Sequence, residues 1–172
     1  MNVYVIQVET GSESKFLRNF RQTDGTNVPQ PPALFFPKRK MIVRKQKQYT
    51  EKIYPVFPGY VFLQSPEITP ELIRVMRTVP GFGRFLPENK KPENLAGRDM
   101  ELIRHFMSFG ETADLSKVFF DEQDRIRVVA GPLKGLEGAI VKVDRRKKRA
   151  KIRLDFSGDS FTVDLGFEVI TK

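Results

Sequence analysis

Cysteine is absent from all 172 residues, which removes disulfides, thiolate metal sites and a cysteine nucleophile, and fits a reducing compartment. Histidine occurs once, at His105. With no second imidazole and no serine or cysteine motif, no nucleophile–base arrangement can be built around it. No run approaches the ~18 apolar residues of a membrane span. The start Met1-Asn2-Val3-Tyr4-Val5-Ile6-Gln7 has neither a basic segment nor a long apolar core, so a cytoplasmic chain with no membrane partner is expected. Phosphate- and dinucleotide-binding loops are also missing: Gly131-Pro132-Leu133-Lys134-Gly135 has the wrong spacing and leads into a strand. Asp99, Glu101, Glu111 and Asp114 lie near a helix end and an acidic stretch, with no spacing that calls for acid–base work. No enzyme, cofactor or metal is expected.

What the chain has is positive charge. Thirty Lys+Arg stand against 21 Asp+Glu, a net +9, with 40% hydrophobic residues for cores. This favours a polyanionic partner, which basicity alone leaves open among DNA, RNA and an acidic protein surface. Residues 1–110 carry 17 Lys+Arg and 10 Asp+Glu, residues 111–121 carry 1 and 3, and residues 122–172 carry 12 and 8. An acidic middle therefore divides two basic segments. We read residues 1–110 as one domain, 111–122 as a linker and 123–172 as a second domain.

Residues 3–8 are β-rich, as suits a buried central strand. Thr10 and Glu13 have capping-box spacing ahead of Phe16, Leu17 and Phe20, which predicts a helix over 12–22. A loop over 23–32 contains Gly25, Pro29, Pro31 and Pro32. Strands are expected over 34–44 and 59–64, with the basic segment 38–52 as their connection. Thr69-Pro70-Glu71 is a cap, a proline at the first helical position and an acid in the first turn, followed by Leu72, Ile73 and Met76 on one face. A strand over 82–86 and a third helix over 98–109, stopped by Gly110, complete a β-α-β-β-α-β-α order. That is an α+β, ferredoxin-like α/β sandwich with an added helix. Residues 124–170 supply about five short strands, a small five-stranded SH3-like β-barrel.

Four constellations stand out. Residues 124–138 join an alternating strand, the Gly131-Pro132 turn and two further glycines, as at the corner of a strongly bent barrel. Phe57-Pro58-Gly59-Tyr60-Val61-Phe62 commits Tyr60 and Phe62 to one strand face, either as core or as a docking surface. Asp144 is followed by Arg145-Arg146-Lys147-Lys148-Arg149, and then by Lys151 and Arg153. Five consecutive cations at a hairpin tip repel one another, a cost that a polyanion would relieve. A second basic stretch, Lys38-Arg39-Lys40, Arg44-Lys45, Lys47 and Lys52, holds seven Lys+Arg and one acid over 38–52. It reads either as a solvated hairpin protecting a sheet edge or as an electrostatic skirt toward DNA.

The glycine-rich unit resembles a KOW module. The aromatic motif, with Tyr4-Val5-Ile6-Gln7 before it and Arg77-Thr78-Val79-Pro80-Gly81-Phe82 after it, resembles the N-terminal (NGN) domain of NusG-family transcription elongation factors. The resemblance covers nearly the whole chain. It implies a monomeric factor that docks on the clamp helices of RNA polymerase's largest subunit and favours processive elongation, with Phe57 and Tyr60, joined by Tyr4 and Phe62, as docking aromatics. It also implies that the loop over 23–32 reaches across the polymerase cleft, and that Arg74, Arg77 and Thr78 approach the non-template DNA strand. Arginine suits that role through bidentate phosphate binding and stacking.

Gln123 stands where the family usually has glycine, and Ser157-Gly158-Asp159 replaces its usual Gly-Arg pair. The second departure falls where general members meet a small ribosomal protein and Rho, so the resemblance does not carry those two contacts over. Together with the loaded hairpin and the lack of a long charged N-terminal extension, this points to a specialised paralogue of the LoaP or RfaH kind, an antiterminator of selected operons. RNA binding is expected from Arg145, Arg146, Lys147, Lys148, Arg149 and Lys151. A structured RNA hairpin is favoured, because no aromatics interleave with these cations. The alternatives are a general NusG factor linking polymerase to ribosome or Rho, and a ribosome-associated KOW protein.

Overall fold

The computed structural model describes residues 2–23 and 32–171. The chain forms two compact units: residues 1–36 with 57–100, and residues 37–56 with 101–172. In the first, β1 (Asn2–Val8), β2 (Ala33–Phe35), β5 (Tyr60–Ser65) and β6 (Phe82–Phe85) form one sheet in the order β2-β5-β1-β6. All its pairings are antiparallel, and Val5 faces Phe62 across the central pair. Helices α1 (Glu13–Arg21) and α2 (Pro70–Thr78) complete the expected sandwich. Its core joins Tyr4, Ile6, Val8, Val61, Leu63 and Phe85 of the sheet to Phe16 and Phe20 of α1 and Leu72 and Met76 of α2. The cap predicted for α2 forms: Leu72 N–H donates to Thr69 Oγ1 at 3.1 Å, with Pro70 in the first turn.

The strand predicted over 34–44 is two strands. β2 ends at Phe35, and β3 (Lys38–Lys45) begins after Phe36-Pro37, in a different sheet and in the other unit. Proline lacks the N–H that a continuous ladder needs. β3 pairs with β4 (Gln48–Pro55) as a hairpin in full register, Lys38 opposite Pro55 and Lys45 opposite Gln48. Its turn holds Gln46 and Lys47 both at positive φ, as the primed hairpin turns require.

The third helix, α3 (Gly97–Met107), buries Ile103 and Phe106, and Gly110 follows at φ 79°. Residues 111–122, expected as a linker, contain β7 (Thr112–Ala113), parallel to β3, and β8 (Ser116–Phe120). β8 belongs to the barrel sheet, with β9 (Ile126–Ala130), β10 (Ile140–Asp144), β11 (Arg149–Phe156) and β12 (Asp159–Val169), in the order β10-β11-β12-β8-β9. Residues 124–170 supply four of the five expected strands; the fifth, β8, lies wholly before residue 123. Ser116 and Val118 are buried while Lys117 between them is exposed; the alternation of a half-buried strand decides here, over the acidic composition of the stretch. Among the described residues no helix is long and apolar enough to cross a membrane, and no group of three metal-ligating side chains occurs.

Candidate nucleic-acid interface

Gly59, in the middle of the aromatic motif, has φ 87°. Its N–H donates to Glu13 Oε1 at 2.8 Å, and Gly11 N–H donates to the same oxygen at 3.1 Å. Glu13 thus ties the start of α1 to the start of β5, a long-range use of a residue expected to close a local capping box with Thr10; Ser12, not Thr10, precedes the helix. Of the four aromatics expected to dock, Tyr4 (6% exposed), Phe57 (1%) and Phe62 (0%) are buried. Phe57 meets Phe62 edge-on at 5.7 Å, and Phe35 stacks on Phe62 at 5.6 Å. These three rings are therefore interior, because stacking beside one another removes more apolar area from water than facing outward would. Tyr60 is half-buried and keeps some surface. Arg74, Arg77 and Thr78 are all exposed on α2, brought together by helical spacing, with Thr78 Oγ1 donating to Val75 O at 2.6 Å. The expected cleft-crossing loop lies largely outside the described residues.

In the second unit the six expected RNA-binding cations divide. Arg145 donates to Asp124 Oδ1 at 3.1 Å and lies over the Phe120 ring at 3.9 Å. Arg149 turns inward, donating to Ile42 O at 3.4 Å and pairing with Asp164 at 3.8 Å. Lys151 is half-buried. Arg146, Lys147 and Lys148 remain exposed at the turn, with no ion pair among the described residues. The turn itself is closed by Lys147 N–H donating to Asp144 Oδ1 at 2.9 Å, and this hydrogen bond holds the Asp144 carboxyl below the usual carboxylate range. His105 is structural: its Nε2–H donates to Pro132 O at 2.7 Å, and its ring packs edge-on against Phe106 and Phe109.

The basic hairpin β3–β4 is part of this same unit. Its seven cations are not a uniform skirt. Lys40 pairs with Asp114 at 3.3 Å. Arg39 is half-buried, and the desolvation lowers its pKa against the opposing field of Asp164; its guanidinium lies over Tyr54 at 5.3 Å. Arg44 is exposed over Tyr49 at 5.9 Å. Sequence reasoning did not foresee that the tips of the two basic hairpins converge. A groove of about 510 Å³ is walled by Arg44 and Tyr49 from one, by Arg146, Lys147 and Arg149 from the other, and by no carboxylate. Pairing Arg44 with Tyr49 was readable from the hairpin turn, whereas their approach to Arg146 is tertiary. The folded units also redistribute the charge: the first carries nine Lys+Arg and eight Asp+Glu, the second 21 and 13, or +1 and +8.

The family model described as "Transcription termination factor nusG" matches residues 1–104, and the KOW motif matches residues 122–153. The chain is 28% identical to the transcription termination/antitermination protein NusG of Buchnera aphidicola, over 98% of this chain and 94% of that protein. It is 26% identical to the protein of the same name in Helicobacter pylori, over 100% and 98%. A solved structure of Thermotoga maritima NusG aligns with a TM-score of 0.60 over 96% of this chain and 93% of that one, at 21% identity, and supports the fold. These relatives are transcription factors rather than enzymes. With most of its residues under the first model and relatives of the same name along its whole length, the chain belongs to the NusG family of transcription termination and antitermination factors.

Proposed function

We propose that this NusG-family chain is a specialised antitermination factor, bound to the clamp helices of RNA polymerase through its first unit and to RNA through its second. The observation that carries the reading is the run Arg146-Lys147-Lys148, exposed and without ion pairs among the described residues. Folding leaves that repulsion in place, and RNA phosphates would relieve it while releasing counterions. Arg74, Arg77 and Thr78, exposed together on α2, suit the backbone and unpaired bases of a displaced non-template strand. Ser157-Gly158-Asp159, in place of the family's Gly-Arg pair, supports a role apart from ribosome or Rho coupling.

Polymerase docking is tested at Tyr60, the one motif aromatic that keeps surface. Tyr60→Ala should weaken polymerase capture by about 1–3 kcal/mol, the range for an interface aromatic, at an unchanged melting temperature. Capture at parental strength would overturn the docking assignment. Phe57→Ala is the contrasting variant: it empties a site that is 1% exposed and should cost about 3–5 kcal/mol of stability. Mapping transcript 3′ ends with and without the gene tests the specialised role. Changes confined to one or two operons support it; changes across most transcripts would make the chain a general factor.

A further inference from the structure

The seat of RNA binding can be placed more narrowly, on the reading that the second unit binds RNA. A cation tip without aromatics favours a structured hairpin held by its phosphates alone. The fold supplies the missing aromatic from a distant part of the chain. Tyr49 is 68% exposed, at the first strand residues after the β3–β4 turn, and its ring is opposed to Arg44 across the hairpin. A single exposed tyrosine is ordinary. This one forms a wall of the groove whose other polar lining is Arg44, Arg146, Lys147 and Arg149.

The four cations have different roles in the groove. Arg149 is held from within by Asp164 and by the Ile42 carbonyl, so the two hairpin tips are linked at its base. Arg44, Arg146 and Lys147 have no ion pair among the described residues. A groove of about 510 Å³ lies in the size range that holds a small ligand. Its chemistry is a π-face beside several uncompensated donors. A base can stack on the ring whatever its identity, and the phosphates flanking it can take the donors.

We propose that this groove binds an unpaired RNA base stacked on Tyr49, with the flanking phosphates on Arg146 and Lys147 and the Arg44 guanidinium against the base or its sugar-phosphate. The preferred RNA is then a hairpin that displays an unpaired base, since stem phosphates alone leave the ring unused.

The test uses the full chain and fluorescence anisotropy with a labelled RNA stem-loop carrying a uridine loop. The comparisons are the same stem with an abasic loop and the DNA stem-loop of matching sequence. Tyr49→Ala should weaken binding to the uridine loop by about 5- to 150-fold, the equivalent of the 1–3 kcal/mol measured per stacked base, and leave the abasic loop unaffected. Tyr49→Phe, which keeps the ring, should retain the parental preference. The double variant Arg146→Glu, Lys147→Glu should weaken both RNAs and flatten the salt dependence, by about 0.7–0.9 log units per log unit of salt for each phosphate lost. If Tyr49→Ala binds the uridine loop as the parent does while the double variant still fails, the second unit binds RNA but the groove is not its seat. If the parent binds neither RNA in a salt-sensitive way, the RNA reading itself falls. Tighter binding of the DNA stem-loop would overturn RNA as the occupant.

Discussion

Asp121 shows how one side chain organises the approach to the barrel. Its Oδ1 accepts the N–H groups of Gln123 and Arg125 at 3.0 and 2.9 Å, and its Oδ2 accepts Arg127 Nε at 2.9 Å. The hydrogen bond from Arg125, followed by that from the Arg127 side chain, holds the carboxyl below the usual range. A depressed folded pKa means that the charged form stabilises the fold above the unfolded value of about 3.9, and that this contribution disappears as pH falls through the folded pKa. The parent should therefore be more stable than Asp121→Asn at neutral pH, and the gap should close below about pH 4. Paired denaturant melts across pH check this; a gap that is constant with pH would mean that the charge is irrelevant. The turn was only partly legible, because Asp121 lies in the stretch read as a linker. Glu13 is similar: its spacing from Thr10 is visible in sequence, but its partner Gly59 is joined to it only by the fold.

At the scale of elements, local signals predicted well and pairings between distant segments did not. The Thr69-Pro70-Glu71 start and the stop at Gly110 follow from neighbours in the chain, and both formed; β5, by contrast, buries Val61, Phe62 and Leu63 in succession, so both of its faces are covered. The Gly131 turn was legible as a glycine turn; the reason it must be glycine was not. Gly131 sits at φ 99°, and a Cβ there would lie 2.5 Å from the backbone of Ser116 on β8. Ser116 is fully buried, and its hydroxyl accepts Leu133 N–H at 3.0 Å. β8 thus packs directly beneath the turn. Gly131→Ala combines a left-handed backbone with a backbone clash and should cost about 2–5 kcal/mol. Gly135→Ala has φ 88° but open space around it, and should cost only about 1 kcal/mol. Urea melts of the two variants distinguish packing from conformation; equal losses would show that Ser116 yields.

At the scale of the molecule, the linear sequence misassigns both charge and boundary. Read along the chain, the first 110 residues carry most of the excess positive charge. Folded, that excess leaves with the β3–β4 hairpin, and the second unit holds +8 of the net +9. The boundary fails for a related reason, because a strand order is not a chain order. β8 lies between β12 and β9 in the barrel sheet, parallel to one and antiparallel to the other. A fragment of residues 123–172 therefore lacks the strand to which β9 is hydrogen-bonded, whereas residues 111–172 retain it. Backbone groups freed in this way cost roughly 0.5–1.5 kcal/mol per lost hydrogen bond, and burial of Val118 is lost as well. The longer fragment should melt cooperatively. The shorter one should melt at a lower temperature, with rapid amide exchange across Ile126–Ala130. Coincident melts, with β9 equally protected in both, would show that the barrel closes without β8 and restore residue 123 as its beginning.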